Sequence, residues 1–234
     1  MVTTVNGQTA REIIDTAIEK TGGLSNWGAL NGFRITAWFD QGGVDFPLEI
    51  VQLKDGRQYT KINFQETEIM QGVFDGETLW STNFQTQTPE KADLETTANV
   101  KLDANDFPDD LLGYQRKNYT VELLGKTTLN SVPCFKIKLT KEPVTINGVK
   151  SDDLVYYYFN TSTFLPFAKE FEMKHGPIQG STMLIQFEDY RQVDGLFFPF
   201  SMLQGVKDAP PQPLKVESIE LNPDISQRVF IFSK

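Results

Sequence analysis

The sequence predicts a mainly β (α+β) fold: a strongly curved antiparallel half-barrel sheet with an N-terminal helix and short helices packed in its concavity. Three observations predict it. Apolar residues recur at helical spacing over one long stretch only, near the start. After it the period changes to two, in short β-rich runs separated by hairpin turn residues. About a dozen such strands follow the helix in antiparallel order, which suggests a curved sheet holding helical material.

The helix is set by Ala10, Ile13, Ile14, Ala17 and Ile18, which share one face. Thr9 and Glu12 form a capping box, and Gly22-Gly23 supplies the left-handed stop. A short second turn spans Ser25 to Leu30 and closes at Gly32. Strands are expected at 33–39, 46–53, 58–64, 68–74 and 78–83, with Asp55-Gly56 and Asp75-Gly76 providing hairpin chemistry. The stretch 86–117, interrupted by Pro89 and Pro108, reads as a loop carrying one or two short helices, one of them around Asp109 to Tyr114. Strands resume at 119–124, 132–140, 153–160, 166–174, 182–190, 196–203 and 214–221. Phe135-Lys136-Ile137-Lys138-Leu139 alternates cleanly and so has one apolar face. Leu154 to Phe159 is apolar or aromatic on both faces, so the sheet there is covered on each side or lines a cavity. No composition shift marks a linker, and one domain over 1–234 is expected.

Composition limits function. With 22 Lys+Arg against 31 Asp+Glu the formal charge is -9, which argues against a main role in binding nucleic acid or an anionic membrane. A single cysteine, Cys134, excludes an internal disulfide framework, and it reads as a small semi-buried strand residue. The single histidine, His175, lies in a Lys-His-Gly-Pro turn and reads as an exposed turn residue, since a triad histidine needs a buried carboxylate. Phosphate-binding glycine loops and the nucleophile elbow are absent. The acidic pairs Asp109-Asp110, Asp152-Asp153 and Glu188-Asp189 read as solvated turn acids. No catalytic residue, metal or cofactor is expected.

The apolar surplus remains, 18 Phe among them. Phe167, Phe171 and Met173 alternate along one strand, Met183, Ile185 and Phe187 along the next, and Phe198, Phe200 and Met202 along a third. Neighbouring rows would merge into a sheet of soft, adaptable side chains, or form an ordinary core beneath the N-terminal helix.

Gly125-Lys126-Thr127 followed by 132–140, then Tyr157 to Pro166, then Phe187 to Phe200, with the opening helix and the turn at Trp27 and Leu30, resembles the bacterial outer-membrane lipoprotein-sorting family related to LolA and LolB. The similarity spans nearly the whole chain and is one of strands and turns. It implies a half-open sheet wrapped over helices around an apolar cavity. It also implies a periplasmic, non-enzymatic carrier for an acylated lipoprotein or lipid, exchanging with a membrane-associated donor or acceptor protein. The start lacks a signal peptide, so a periplasmic chain is expected to be the mature form. A monomer is expected. The lining residues expected are Trp38, Ile50, Phe64, Phe159, Phe171, Phe187, Phe198 and Phe200, with Arg34 as the polar cavity residue. The alternative is an envelope sensing or protein-interaction module that uses the same concave sheet.

Overall fold

The computed structural model describes residues 8–64 and 67–233, with the backbone alone at Gln41 and Phe64. Helix α1 (Ala10–Lys20) begins at the expected capping box and ends where the Gly23 amide bonds back to the Ile18 carbonyl at 2.9 Å. Helix α2 (Leu24–Ala29) follows at once. Then come β1 (Gly32–Gln41), β2 (Val44–Leu53), β3 (Gln58–Phe64), β4 (Thr67–Phe74), β5 (Leu79–Thr82) and the short β6 (Pro89–Lys91). Helix α3 (Leu94–Asp103) and two 3-10 segments, Ala104–Asp106 and Tyr114–Lys117, connect to β7 (Thr120–Leu129). The remaining strands are β8 (Val132–Thr140), β9 (Val144–Ile146), β10 (Val149–Ser151), β11 (Leu154–Asn160), β12 (Pro166–Glu172), β13 (Thr182–Val193), β14 (Leu196–Val206) and β15 (Gln212–Leu221).

Thirteen strands form one open sheet in the order β6-β5-β4-β3-β2-β1-β15-β14-β13-β12-β11-β8-β7, and β9-β10 is a separate hairpin. Every pairing is antiparallel, as the hairpin turns require. Asp194-Gly195, both with positive φ, closes β13 onto β14 in a primed turn. Two steps join strands that are not consecutive in sequence: β8 pairs with β11 across the β9-β10 hairpin, and β1 pairs with β15, which brings the two ends of the strand series together within the sheet.

The helices cover the inner face in two patches. Ile13, Ile14 and Ala17 of α1 pack on Phe135, Ile137 and Leu139 of β8 and on Val155, Tyr157 and Phe159 of β11. Trp27 and Leu30 pack on Phe198 and Phe200 of β14, Phe33 and Ala37 of β1, and Leu214 and Val216 of β15. The outer face has its own cover. Residues 225–232 lay Phe230 against Val51, Tyr59, Val73 and Trp80, and the Trp80 indole donates to the Phe230 carbonyl at 2.9 Å.

The expected strand set is present, with three short strands added: β6, β9 and β10. Helix α3 stands inside the stretch expected to carry one or two short helices; its own apolar pattern is weak, and Asp93 caps it by accepting from the Thr96 amide. The expected helix around Asp109 to Tyr114 is instead a turn followed by a 3-10 segment, because Gly113 takes a left-handed conformation that ends regular winding.

The junction between α1 and the sheet is a close backbone contact. Gly22 has φ 128°, and a Cβ there would lie 2.6 Å from the Gly195 carbonyl oxygen, while the Phe197 amide donates to the Thr21 carbonyl at 2.9 Å. Gly22→Ala should therefore cost about 2 kcal/mol or more in urea denaturation. Gly28→Ala, in α2 with open space around it, should be neutral or stabilising by up to about 1 kcal/mol.

Candidate functional site

The two helix-covered patches leave a strip of inner face between them. It belongs to β13, whose Met183, Ile185 and Phe187 pair across to Phe171 and Lys169 of β12 and to Met202 and Gln204 of β14. Met183, Ile185, Phe187, Phe171 and Met202 are all half-buried. The strip is apolar because strand alternation brings every second residue of three adjacent strands to one face.

At the Phe171 end the strip meets a cavity of about 360 Å³ between the sheet and the crossing segment 94–118. Its apolar walls include Leu53, Phe107, Pro108, Val144, Val155, Phe171 and Met173, and much of the remainder is charged. Lys169 extends from β12 to the Asp110 carboxylate, with Nζ to Oδ1 at 2.9 Å and to Oδ2 at 3.2 Å. The Tyr157 hydroxyl of β11 donates to Asp110 and lies 3.1 Å from Asp109 Oδ2. Lys141 Nζ meets Asp103 and Asp106 at 2.7 Å each and Asp153 at 3.2 Å. Lys117 adds a bond of 2.7 Å to Asp106 and one of 3.1 Å to the Asp110 carbonyl. The crossing segment is thus fastened to β12 and to Lys141, just past β8, by ion pairs, and to β11 by the Tyr157 hydroxyl.

These groups shift one another. Burial raises Asp109 above the usual carboxylate range, and the Asp110 charge adds to that against Lys169. At Asp110 burial also pushes upward, but the charges of Lys169 and Lys141 and the hydrogen bonds from Tyr157 and Lys169 outweigh it, and the group is held far below its ordinary range. Burial works against the charge on Lys169; Asp110 and Asp109 more than restore it. Lys141 behaves likewise, with Asp103 the strongest of its partners.

The sequence-predicted residues fall into three groups. Phe171 lines the cavity, and Phe187 lies on the half-buried strip. Ile50, Phe159, Phe198 and Phe200 are on the same inner face but packed into the helix-covered cores. Arg34 and Trp38 are on the other face. Their neighbours Phe33, Ile35, Ala37 and Phe39 take the inner positions of β1, so the alternation turns Trp38 outward, 41% exposed, and pairs Arg34 with Glu220 at 2.8 Å and Glu49 at 3.6 Å. The Phe64 side chain lies outside the described residues.

Three further readings change. Phe167 packs with Cys134, Tyr158 and Ala168 on the outer face, because an irregularity in the β11-β12 register separates it from Phe171. Asp110 and Asp153 are buried rather than solvated. His175 borders the cavity, with Nδ1 buried and without a hydrogen-bond partner. Lysine at 169, in the middle of an aromatic row, was the sequence signal for the buried carboxylates: a cation on an apolar face requires an anion to meet it. Cys134 is a buried strand residue as expected, its thiol pushed up to about 11 by burial.

No family model and no curated protein matches the chain. Among solved structures, a LolA superfamily protein from Nitrosomonas europaea is similar at 16% identity and TM-score 0.56, covering 97% of this chain and 99% of its own. A DUF1329 family protein from Desulfovibrio piger is similar at 12% identity and TM-score 0.56, covering 96% and 98%. An outer membrane lipoprotein-sorting protein domain from Vibrio parahaemolyticus is similar at 10% identity and TM-score 0.54, covering 94% of each chain. The chain has the fold that these proteins share, and the resemblance read from its strands and turns is met at that level.

The two adjacent aspartates should respond oppositely to amide substitution. Asp109 titrates above its unfolded value, so its contribution to stability is lost as pH rises from about 4 toward neutral. Asp109→Asn should gain on the order of 1 kcal/mol at pH 7, a gain that vanishes near pH 3. Asp110 titrates below its unfolded value, so its contribution is present at neutral pH and lost on acidification. Asp110→Asn leaves Lys169 without its anion and should cost about 3 kcal/mol at pH 7. Urea melts at both pH values check the pair.

Proposed function

We propose that the protein is a non-catalytic carrier or binding protein for an acylated ligand, a lipoprotein or lipid, acting in the cell envelope. The observation that carries this reading is the uncovered apolar strip of β12, β13 and β14 running into the cavity at Phe171. An acyl chain laid along Met183, Ile185, Phe187 and Met202 would be removed from water at about 0.8 kcal/mol for each methylene buried. The cavity volume of about 360 Å³ is in the range of small-ligand sites, roughly 300–1,000 Å³. Phe171 and Met202 are the borders at which the strip joins the packed cores, so Phe159, Phe198 and Phe200 flank it within those cores, and Ile50 lies farther off on β2.

Chemistry on the ligand is not part of the proposal. Acyl transfer needs a nucleophile within reach of a base and an orienting group. Cys134 is buried in the outer-face cluster, away from the cavity, and the cavity aspartates are engaged with lysines, Tyr157 or the Leu111 amide. Release to an acceptor would be a binding exchange, for which a membrane-associated protein partner is the natural counterpart. The proposed unit is a single domain working as a monomer.

Uptake of an uncharged, environment-sensitive fluorescent alkyl probe tests the reading. Phe187→Asp or Ile185→Glu should reduce uptake at least tenfold in a protein that still melts cooperatively, whereas Trp38→Asp on the outer face should leave it unchanged. Full uptake by folded Phe187→Asp and Ile185→Glu variants would remove the strip as the binding surface.

A further inference from the structure

The charged cavity also says which head group can stand at the end of the chain, an inference that rests on the acyl-binding reading above. Six carboxylates border the cavity, from Asp103, Asp106, Asp109, Asp110, Asp153 and Glu172, against three lining lysines and Lys117, which reaches Asp106 from beside the cavity, so acidic groups remain in excess. All three lysines are already committed. Lys141 is shared by three aspartates, Lys169 is held by Asp110, and Lys174 lies 3.3 Å from the Asp152 carbonyl and 3.9 Å from Asp153. Lys169 is further enclosed by the Tyr157 and Phe171 rings, at 5.4 and 5.8 Å from their centroids.

The carboxylates keep spare acceptor capacity. Each offers about four lone-pair directions, and the Asp103 and Glu172 side chains remain 55% and 50% exposed at the cavity margin. The buried Nδ1 of His175 adds a ring nitrogen with no partner in the fold. Among the described residues lining the cavity an arriving anion would find every lysine already engaged, and it would meet an excess of negative charge in a partly desolvated space, where like charges repel most strongly. An arriving ammonium would find acceptors on several sides.

We propose that the cavity selects an amphiphile with a cationic, N–H-bearing head group and discriminates against the same chain ending in an anion. The ligand class is an alkyl or acyl chain bearing a primary amine, and the chain occupies the β13 strip while the amine reaches the carboxylate side of the cavity near Glu172, Asp153 and His175. The preference comes from the local surplus of acceptors rather than from the overall charge of -9.

Displacement of the uncharged alkyl probe by dodecylamine and by dodecanoate, both below their micelle concentrations at pH 7, tests this. Dodecylamine should displace the probe at a concentration at least tenfold lower. Glu172→Lys, at the cavity margin, should narrow that gap several-fold. Glu217→Lys, which makes the same change of charge at an exposed position of β15, should leave it unchanged. Equal displacement by the two amphiphiles would overturn the head-group inference and leave acyl binding standing. A gap that Glu172→Lys and Glu217→Lys narrow alike would also overturn it, because overall charge would then be the cause. Displacement by neither would overturn acyl binding itself and the inference with it.

Discussion

Lys169 projects from the middle of β12 into a face that is otherwise aromatic, between Phe171 on its own strand and Ile185 on the next. A cation in that position requires an anion brought to it, because an unpaired charge at a partly buried site is costly. Asp110 meets it from the crossing segment, and Tyr157 satisfies further lone pairs of the same carboxylate. This contact and the parallel one at Lys141 hold the 103–110 part of the crossing segment against the sheet. A wide open sheet needs something over its concave face, and here much of that cover is held by ion pairs rather than by a continuous apolar seam.

The consequence is a divided concavity. Helix α1 seals the β8-β11 side, α2 seals the β14-β1-β15 side, and the charged fastening holds the crossing segment over the cavity. The β13 strip between them has no helix of its own. Its Met, Ile and Phe side chains are the residue types that adapt to an irregular apolar guest. The same arrangement concentrates charge at the cavity end of the strip, while Met183, Ile185, Phe187 and Met202 give it an apolar run, which is the distribution an amphiphile presents. A bound chain and the fold thus match in polarity along their length.

The sequence was informative wherever a local rule acts. The capping box and Gly22-Gly23 fixed α1, Asp194-Gly195 fixed the β13-β14 hairpin, and period-two alternation placed Phe171 and Phe187 on the inner face. It was uninformative where long-range pairing decides. Trp38 is as aromatic as Phe39, and only the register with Pro47 and Lys215 shows which of the two turns outward. Arg34 resembles a cavity arginine in isolation, yet Glu49 and Glu220 hold it on the outer face. Asp109 and Asp110 look like turn acids because their partners, Tyr157 and Lys169, are about fifty to sixty positions away, and such contacts leave no local periodicity. One or two short helices are expected within 86–117, but the position of α3 is not legible for a related reason: Asn99 and Glu95 anchor it through the β9-β10 hairpin, by polar bonds to Thr145, Asn147 and Gly148 rather than by an apolar stripe.

The central claim is that the uncovered strip holds an acyl or alkyl chain. Native mass spectrometry of the protein purified from its own cells, followed by extraction and identification of whatever dissociates, tests it most directly. The account predicts one chain-bearing amphiphile per protein molecule, lost when Ile185 or Phe187 is replaced by a charged residue. A protein that is isolated empty and also takes up no alkyl probe would contradict it, and the strip would then be ordinary inner-face packing.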